Sequence, residues 1–304
     1  MILITAHPLC FFKKAIIKNT SILKRKINTL AASAPRTVDL AYFKVESHPQ
    51  ISKSPIVILH GLLGSKKNWK SLSKRFSNAL SRDVYSLDLR NHGQSPHASP
   101  HNYQIMLEDV AAFCHKFNLE SPIIIGHSMG GKVAMALSLL YPKLVGGLVS
   151  VDMAPTVYNL DFAAPRYLKG LEKISNSNIN SLKQADMILS EFESSVPKRQ
   201  FVLTNLAIDS ETKTLKSIIP VSILENSIPN MFEWPFSCKL TFNKPSILIG
   251  GTKSPYFTSE AKNSFLKQFP SAKIVGLPTD HWVHSERPQE FFDVVETFFK
   301  ENNL

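Results

Sequence analysis

Short, predominantly apolar runs alternate along the chain with longer stretches in which apolar residues recur every three or four positions. Ile56-Val57-Ile58-Leu59, Val84-Tyr85-Ser86-Leu87, Ile123-Ile124-Ile125 and residues 144–151 have the length of strands and none of the polar alternation of a half-exposed sheet. Between them, Asn68 to Ser81, Ile105 to Phe117 and Lys132 to Leu140 carry helical spacing, and Val38 to Glu46 reads as a first strand or hairpin. Apolar strands separated by helices imply a parallel sheet covered on both faces. The alternation stops at Ala154. As far as about Asn243 the apolar residues keep helical spacing, the loops are rich in Ser and Asn (Ser175-Asn176-Ser177-Asn178), and no clear strand is present. It resumes with residues 245–251, a helix from Ser259 to Phe269, a strand from Lys273 to Leu277 and an amphipathic helix from Pro288 to Glu301. The pattern predicts an α/β fold, a mostly parallel sheet flanked by helices, with core parts over 37–153 and 244–304 and a helical lid inserted over 154–243. No internal repeat is present.

The formal charge of +11 over 304 residues would point to nucleic acid or acidic lipid if it were spread over the fold. Seven of the positive charges (Lys13, Lys14, Lys18, Lys24, Arg25, Lys26 and Arg36) lie before residue 38, where there is no Asp or Glu, so the body is only mildly basic and no nucleic-acid partner is expected. Phe11, Phe12, Ile16, Ile17, Ile22, Leu23 and Ile27 are interleaved with those lysines, which is the composition of a mitochondrial transit peptide over residues 1–36. A basic arm at a membrane surface is the alternative. The lysines interrupt what a secretory signal would need as an unbroken apolar core, and no run of eighteen apolar residues exists to span a membrane. Cys10, Cys114 and Cys238 are far apart and form no Cys-x-x-Cys pair, so neither a disulfide framework nor a metal site is expected.

The chemistry concentrates where Ile123-Ile124-Ile125 runs into Gly126-His127-Ser128-Met129-Gly130-Gly131 and then into a helix. Gly-x-Ser-x-Gly at a strand-to-helix junction is a nucleophile elbow: the turn is so tight that the serine is strained and exposed, and flanking glycines avoid collisions that a Cβ would make. A serine hydroxyl needs a base and a group that steers the base. His281 falls soonest after the last strand and is the expected base, with His284 as a surface or packing residue; His127 is expected to point to another face. The usual place for the acid, Gly250 to Tyr256, holds no carboxylate, and Glu260 starts the next helix. Asp152 ends the strand after the nucleophile helix and can reach the imidazole from the neighbouring strand, since strands lie about 4.8 Å apart. Asp280 is the alternative, poorly placed because it adjoins the histidine in sequence. His60-Gly61-Leu62-Leu63-Gly64 closes a strand at the same edge, so the Leu62 and Met129 backbone N–H groups are expected to form an oxyanion hole. Asp88 and His92 are expected to organise a turn beside the site.

Taken together with Asp88-Leu89-Arg90-Asn91-His92-Gly93, Val151-Asp152-Met153-Ala154-Pro155 and Arg199-Gln200-Phe201-Val202-Leu203-Thr204-Asn205-Leu206, these motifs resemble the α/β-hydrolase superfamily. The resemblance covers nearly everything after residue 36 and is similar to the branch of mitochondrial α/β-hydrolase-domain proteins and fungal ethanol acetyltransferases. It implies Ser128, Asp152 and His281 as a triad, with Asp280 a departure from the glycine that often precedes the histidine. It further implies an acyl-enzyme that takes acetyl from acetyl-CoA, as substrate rather than cofactor, and passes it to a small alcohol such as ethanol or to water. A carboxylesterase or thioesterase on another acyl group is the alternative. Two other classes remain: a nucleotide-binding protein, because Gly126 to Lys132 nearly spells a phosphate loop that Val133 breaks, and a non-catalytic hydrolase-fold binding protein.

Overall fold

The computed structural model describes residues 37–47, 53–158 and 163–304. The expected transit segment, with His7 and Cys10, and also His48, lie outside the described residues.

Seven strands form one sheet: β1 (Tyr42–Val45), β2 (Ile56–Leu59), β3 (Val84–Leu87), β4 (Ile123–His127), β5 (Gly147–Val151), then β8 (Ser246–Gly251) and β9 (Lys273–Leu277), numbered past a two-stranded hairpin described below. Their spatial order is β1-β3-β2-β4-β5-β8-β9, and only β1 runs antiparallel to its neighbour. Every residue of β2, β3, β4, β5 and β8 is buried, which is why none of them alternates in sequence. Helices α1 (Lys70–Leu80), α2 (Tyr103–Lys116) and α3 (Met129–Leu140) follow β2, β3 and β4. The Asn102 side chain caps α2 by accepting the Ile105 N–H at 3.0 Å, and the left-handed Ser81 ends α1. One apolar cluster joins α2 and α3 to a sheet face through Leu59, Met106, Val110, Val133 and Leu137. A second lies on the opposite face, where Phe76 of α1 meets Phe291 and Val295 of the C-terminal helix Pro288–Glu301.

Between β5 and β8 the chain builds α4 (Ala164–Asn176), α5 (Leu182–Leu189), α6 (Val196–Leu203) and α7 (Val221–Phe232), with their own apolar cluster around Leu168, Leu171, Leu189 and Leu224. Against the expectation of no strand here, β6 (Leu206–Ile208) and β7 (Leu215–Ser217) pair as an antiparallel hairpin. Three residues are too few to leave a period. The Asp209 carboxylate organises the turn by accepting the Thr212 N–H and hydroxyl, both at 2.8 Å. The helices after β8 are α8 (Ser259–Gln268) and, beyond β9, a short turn α9 (Val283–Glu286) leading into α10 (Pro288–Glu301).

The strand order reverses between β2 and β4, because the chain leaves β2 toward β3 and later returns to the other side. A crevice outside the carboxyl ends of the strands is expected at such a point. Leu62, after β2, and Ser128, after β4, both lie there.

Candidate active site

Ser128 sits between the last residue of β4 and the first of α3, with φ 52° and ψ −117°. Such a conformation costs a non-glycine residue on the order of 1–3 kcal/mol and persists only where the surroundings impose it. The imposing contacts are visible at the two neighbouring glycines. A Cβ on Gly126 would lie 2.2 Å from the Gly130 carbonyl oxygen, and one on Gly130 would lie 2.5 Å from that of Leu59. The ladder carries on past the strand, since the Ser128 N–H donates to Val151 O at 3.1 Å.

Asp152 occupies the equivalent place after β5, wholly buried and with φ 51°. Its N–H donates to Ile249 O at 2.8 Å, which anchors the turn to β8. One carboxylate oxygen accepts the Gly251 N–H at 2.8 Å. The other accepts the Ser254 hydroxyl and lies 2.6 Å from His281 Nδ1. Three donors therefore converge on one buried carboxylate, which fixes the imidazole with Nδ1 protonated and Nε2 free to act as a base. Asp280 is exposed and does not take this role; its backbone N–H donates to Glu286 at 3.0 Å. Among the described residues no hydrogen bond joins the Ser128 hydroxyl to His281, and in unliganded sites such bonds commonly close only with substrate. Tyr256 links the two: it lines the cavity that reaches Ser128, and its ring centre is 4.4 Å from that of His281.

His281 is held from below by histidines. His127 Nε2 donates to the His281 carbonyl at 3.0 Å, so His127 supports the loop that carries His281 instead of merely facing elsewhere. Its ring lies 4.6 Å from that of His284, which in turn stacks on Trp69 at 4.2 Å. Burial holds both imidazoles neutral, driving His127 well below its ordinary pKa and His284 down to about 3.

Leu62 and Met129 line the same cavity as Ser128, which is where donors to a developing oxyanion belong. The loop carrying Leu62 is held by two more buried imidazoles. His92 Nε2 accepts the Leu63 N–H at 3.0 Å while Nδ1 donates to Arg90 O at 3.0 Å; His60 Nε2 accepts the Leu89 N–H at 2.9 Å while Nδ1 donates to Gly61 O at 2.7 Å. Both are lowered in pKa by burial. Asp88 pins the next turn by accepting the Lys66 N–H at 2.7 Å, the Lys66 ammonium and the Gln94 N–H at 2.9 Å. Asp88 and His92 thus organise structure beside the site, as expected.

The lysine of the phosphate-loop-like spacing is not turned to an open loop. Lys132 is buried, and its Nζ donates to the carbonyls of Glu233 at 2.7 Å, Phe232 at 3.1 Å and Met231 at 3.3 Å. Burial pulls its pKa down to about 7. Among the described residues no group of three or more His, Cys, Asp or Glu is arranged to hold a metal ion, and no helix is long and apolar enough to cross a membrane.

Ser254, His127 and Lys132 are the site residues that sequence reasoning passed over. Ser254 stands in the loop after β8 where an acid was sought and not found, and a polar side chain there was the available signal. The placing of His127 and Lys132 depends on which loop packs over β4 and α3, and no local pattern encodes that.

Residues 54–288 match the family model described as the alpha/beta hydrolase fold. The chain is 34% identical over 272 residues to the sn-1-specific diacylglycerol lipase ABHD11 of Xenopus tropicalis, with 87% of this chain and 83% of that protein covered. It is 30% identical over 312 residues to Ethanol acetyltransferase 1 of Cyberlindnera fabianii, with 93% of each covered. Among solved structures, a marine microorganism esterase superposes with a TM-score of 0.80 at 31% identity, covering 86% of this chain and all of the esterase. With the elbow, the strand order and the inserted helices already in place, these matches establish that the chain belongs to the α/β-hydrolase fold family.

Proposed function

We propose that the chain is a serine acyl-enzyme catalyst that takes a short acyl group, acetyl from acetyl-CoA in the favoured reading, and transfers it to a small alcohol such as ethanol. The observation that carries the serine chemistry is the 2.6 Å pairing of His281 Nδ1 with Asp152, at a loop whose imidazole shares Tyr256 with the Ser128 cavity. In the first half-reaction His281 Nε2 takes the Ser128 proton as Oγ attacks the thioester carbonyl. The oxyanion accepts the Leu62 and Met129 N–H groups, the C–S bond breaks, and the thiolate leaves with the proton from His281. In the second, the alcohol gives its proton to His281 and attacks the acyl carbonyl; the ester departs and Ser128 recovers its hydrogen. Water in place of the alcohol yields the acid, so thioesterase and esterase activities accompany transfer.

The preference for a short acyl group is supported by the size of the cavity at Ser128, about 20 Å³. Acetyl transfer is supported further by the relative named an ethanol acetyltransferase, and hydrolysis of other esters, as second reading, by the relatives named a lipase and an esterase. The insertion over 154–243, which carries three residues of the cavity wall, Tyr158, Met231 and Phe232, is read as the lid that selects the acceptor. Import into mitochondria is proposed from the basic, acid-free composition of residues 1–36. The test supplies purified protein with acetyl-CoA, with and without ethanol, and follows ethyl acetate, acetate and free CoA. Ethyl acetate is expected when ethanol is present; release of CoA and acetate with no ester would leave only the hydrolase.

A further inference from the structure

Lys132 lies four residues after Ser128, in the first turns of α3, and is 1% exposed. The three carbonyls that its ammonium meets belong to the last two residues of α7 and to Glu233, which caps it. A helix leaves its final carbonyls without internal partners and with partial negative charge, so a cation there supplies both the missing donors and the favourable field. The Tyr103 hydroxyl adds a second hold on the same end, donating to Met231 O at 2.9 Å. The ammonium also lies 5.3 Å and 5.4 Å from the ring centres of Tyr103 and Tyr158.

A scaffold role would explain those bonds if they led nowhere. They lead to the cavity: Met231 and Phe232, whose carbonyls are held, and Tyr103 and Tyr158, whose rings are faced, all line the space beside Ser128. One side chain, rooted on the helix that begins at the nucleophile, thereby fixes the distance between that nucleophile and the opposite wall. How far that wall stands from Ser128 limits the acyl group that can seat between them.

We propose that Lys132 sets the acyl-chain length, its ammonium together with the Tyr103 hydroxyl clamping the C-terminal end of α7 against the acyl pocket so that only acetyl-sized groups seat beside Ser128. The proposal rests on Ser128 being the acylated nucleophile. Lys132 is a positioning residue, acting through Met231 and Phe232 and touching no reacting atom.

The test measures kcat/KM for p-nitrophenyl acetate, butyrate and octanoate in the parent, Lys132→Met and Tyr103→Phe, with kcat and KM separated. The parent is expected to prefer acetate. In Lys132→Met the acetate-to-octanoate ratio is expected to fall by about tenfold or more, the scale on which pocket size discriminates single methylenes, chiefly through a lower KM for octanoate. Tyr103→Phe, which removes one hydroxyl and no charge, is expected to shift the ratio in the same direction by a smaller factor. A uniform loss on all three esters in both variants would reduce the clamp to scaffold and overturn the proposal. If Lys132→Met does not fold, Tyr103→Phe decides, and an unchanged ratio there overturns it. A parent that prefers octanoate also overturns it while leaving the serine chemistry intact. A parent that turns over no ester and takes no fluorophosphonate at Ser128 removes the proposed function and this inference with it.

Discussion

Lowering the pH from 7.5 to 5.5 should destabilise this protein far more than its carboxylates would lead one to expect. Four imidazoles are held deep in the fold as neutral groups: His92 and His127 have pKa values well below the ordinary 6.5, and His101 and His284 are pushed down to about 3, burial being the main cause in each case. At pH 5.5 the folded state leaves His101 and His284 without a proton and disfavours one on His92 and His127, whereas an unfolded chain binds nearly all four. The unfolded state therefore gains relative to the folded one as the pH drops below about 6.5, and the stability is fully present only above it. His101 and His284 each contribute about 1.4 kcal/mol across the interval, or about 3 kcal/mol together, and His92 and His127 add to this in the same direction, against a total for a natural domain of roughly 5–15 kcal/mol. Geometry gives the loss a place. A proton on His92 Nε2 would confront the Leu63 N–H, donor against donor, and release the loop that carries Leu62. Urea unfolding followed by tryptophan fluorescence reads the effect. With a slope of about 2–3 kcal/mol per molar, the midpoint should fall by at least about 1 M between the two pH values. A midpoint that moves by less than about 0.5 M would mean that these histidines are not held neutral, and the reasoning from burial would be wrong.

Asp152→Asn places an NH2 group against either the Gly251 N–H or the His281 Nδ1–H, so the base loses its tautomer; kcat for ester hydrolysis should fall by about 10⁴-fold with the fold retained, and a loss under tenfold would reassign the acid. Ser254→Ala removes one donor to the same carboxylate and should lower kcat by about 10-fold to 100-fold with little change in KM, a hydrogen bond to a charged group contributing about 1.5–3 kcal/mol. Gly130→Ala drives a methyl to 2.5 Å from the Leu59 carbonyl and 2.6 Å from that of His60, and should lower the melting temperature and abolish turnover together; wild-type melting with normal turnover would show that the elbow tolerates a Cβ.

The parallel strands and the helices around them were readable because each is written locally. Residues 56–59, 123–127 and 246–251 are buried on both faces and so are apolar apart from His127 and Ser246 at their ends, and α10 announces itself with Pro288 and a three-to-four residue apolar repeat. The Ser128 elbow was readable from its Gly-x-Ser-x-Gly spacing, although only Gly126 is demanded by a contact close in sequence, the Gly130 carbonyl, while Gly130 is crowded by the distant Leu59 and His60 carbonyls. Asp152 required one step more, the adjacency of β5 to both β4 and β8, which the order of strands in sequence suggests but does not force. What escaped is long-range. Ser254 reaches Asp152 across 102 positions and Lys132 reaches Glu233 across 101, to partners that no local pattern names. The β6–β7 hairpin escaped by brevity, and the role of His127 by lying beneath a loop 154 positions away.

The central claim is a covalent one, that Ser128 carries the acyl group between donor and acceptor, and trapping that species tests it most directly. Purified protein mixed with acetyl-CoA without alcohol, quenched in acid and digested, should yield one acetyl group on the peptide containing Ser128; it should be absent from Ser128→Ala, and adding ethanol before the quench should discharge it as ethyl acetate. Acetyl on another residue, or release of CoA by Ser128→Ala at the parental rate, would contradict the account.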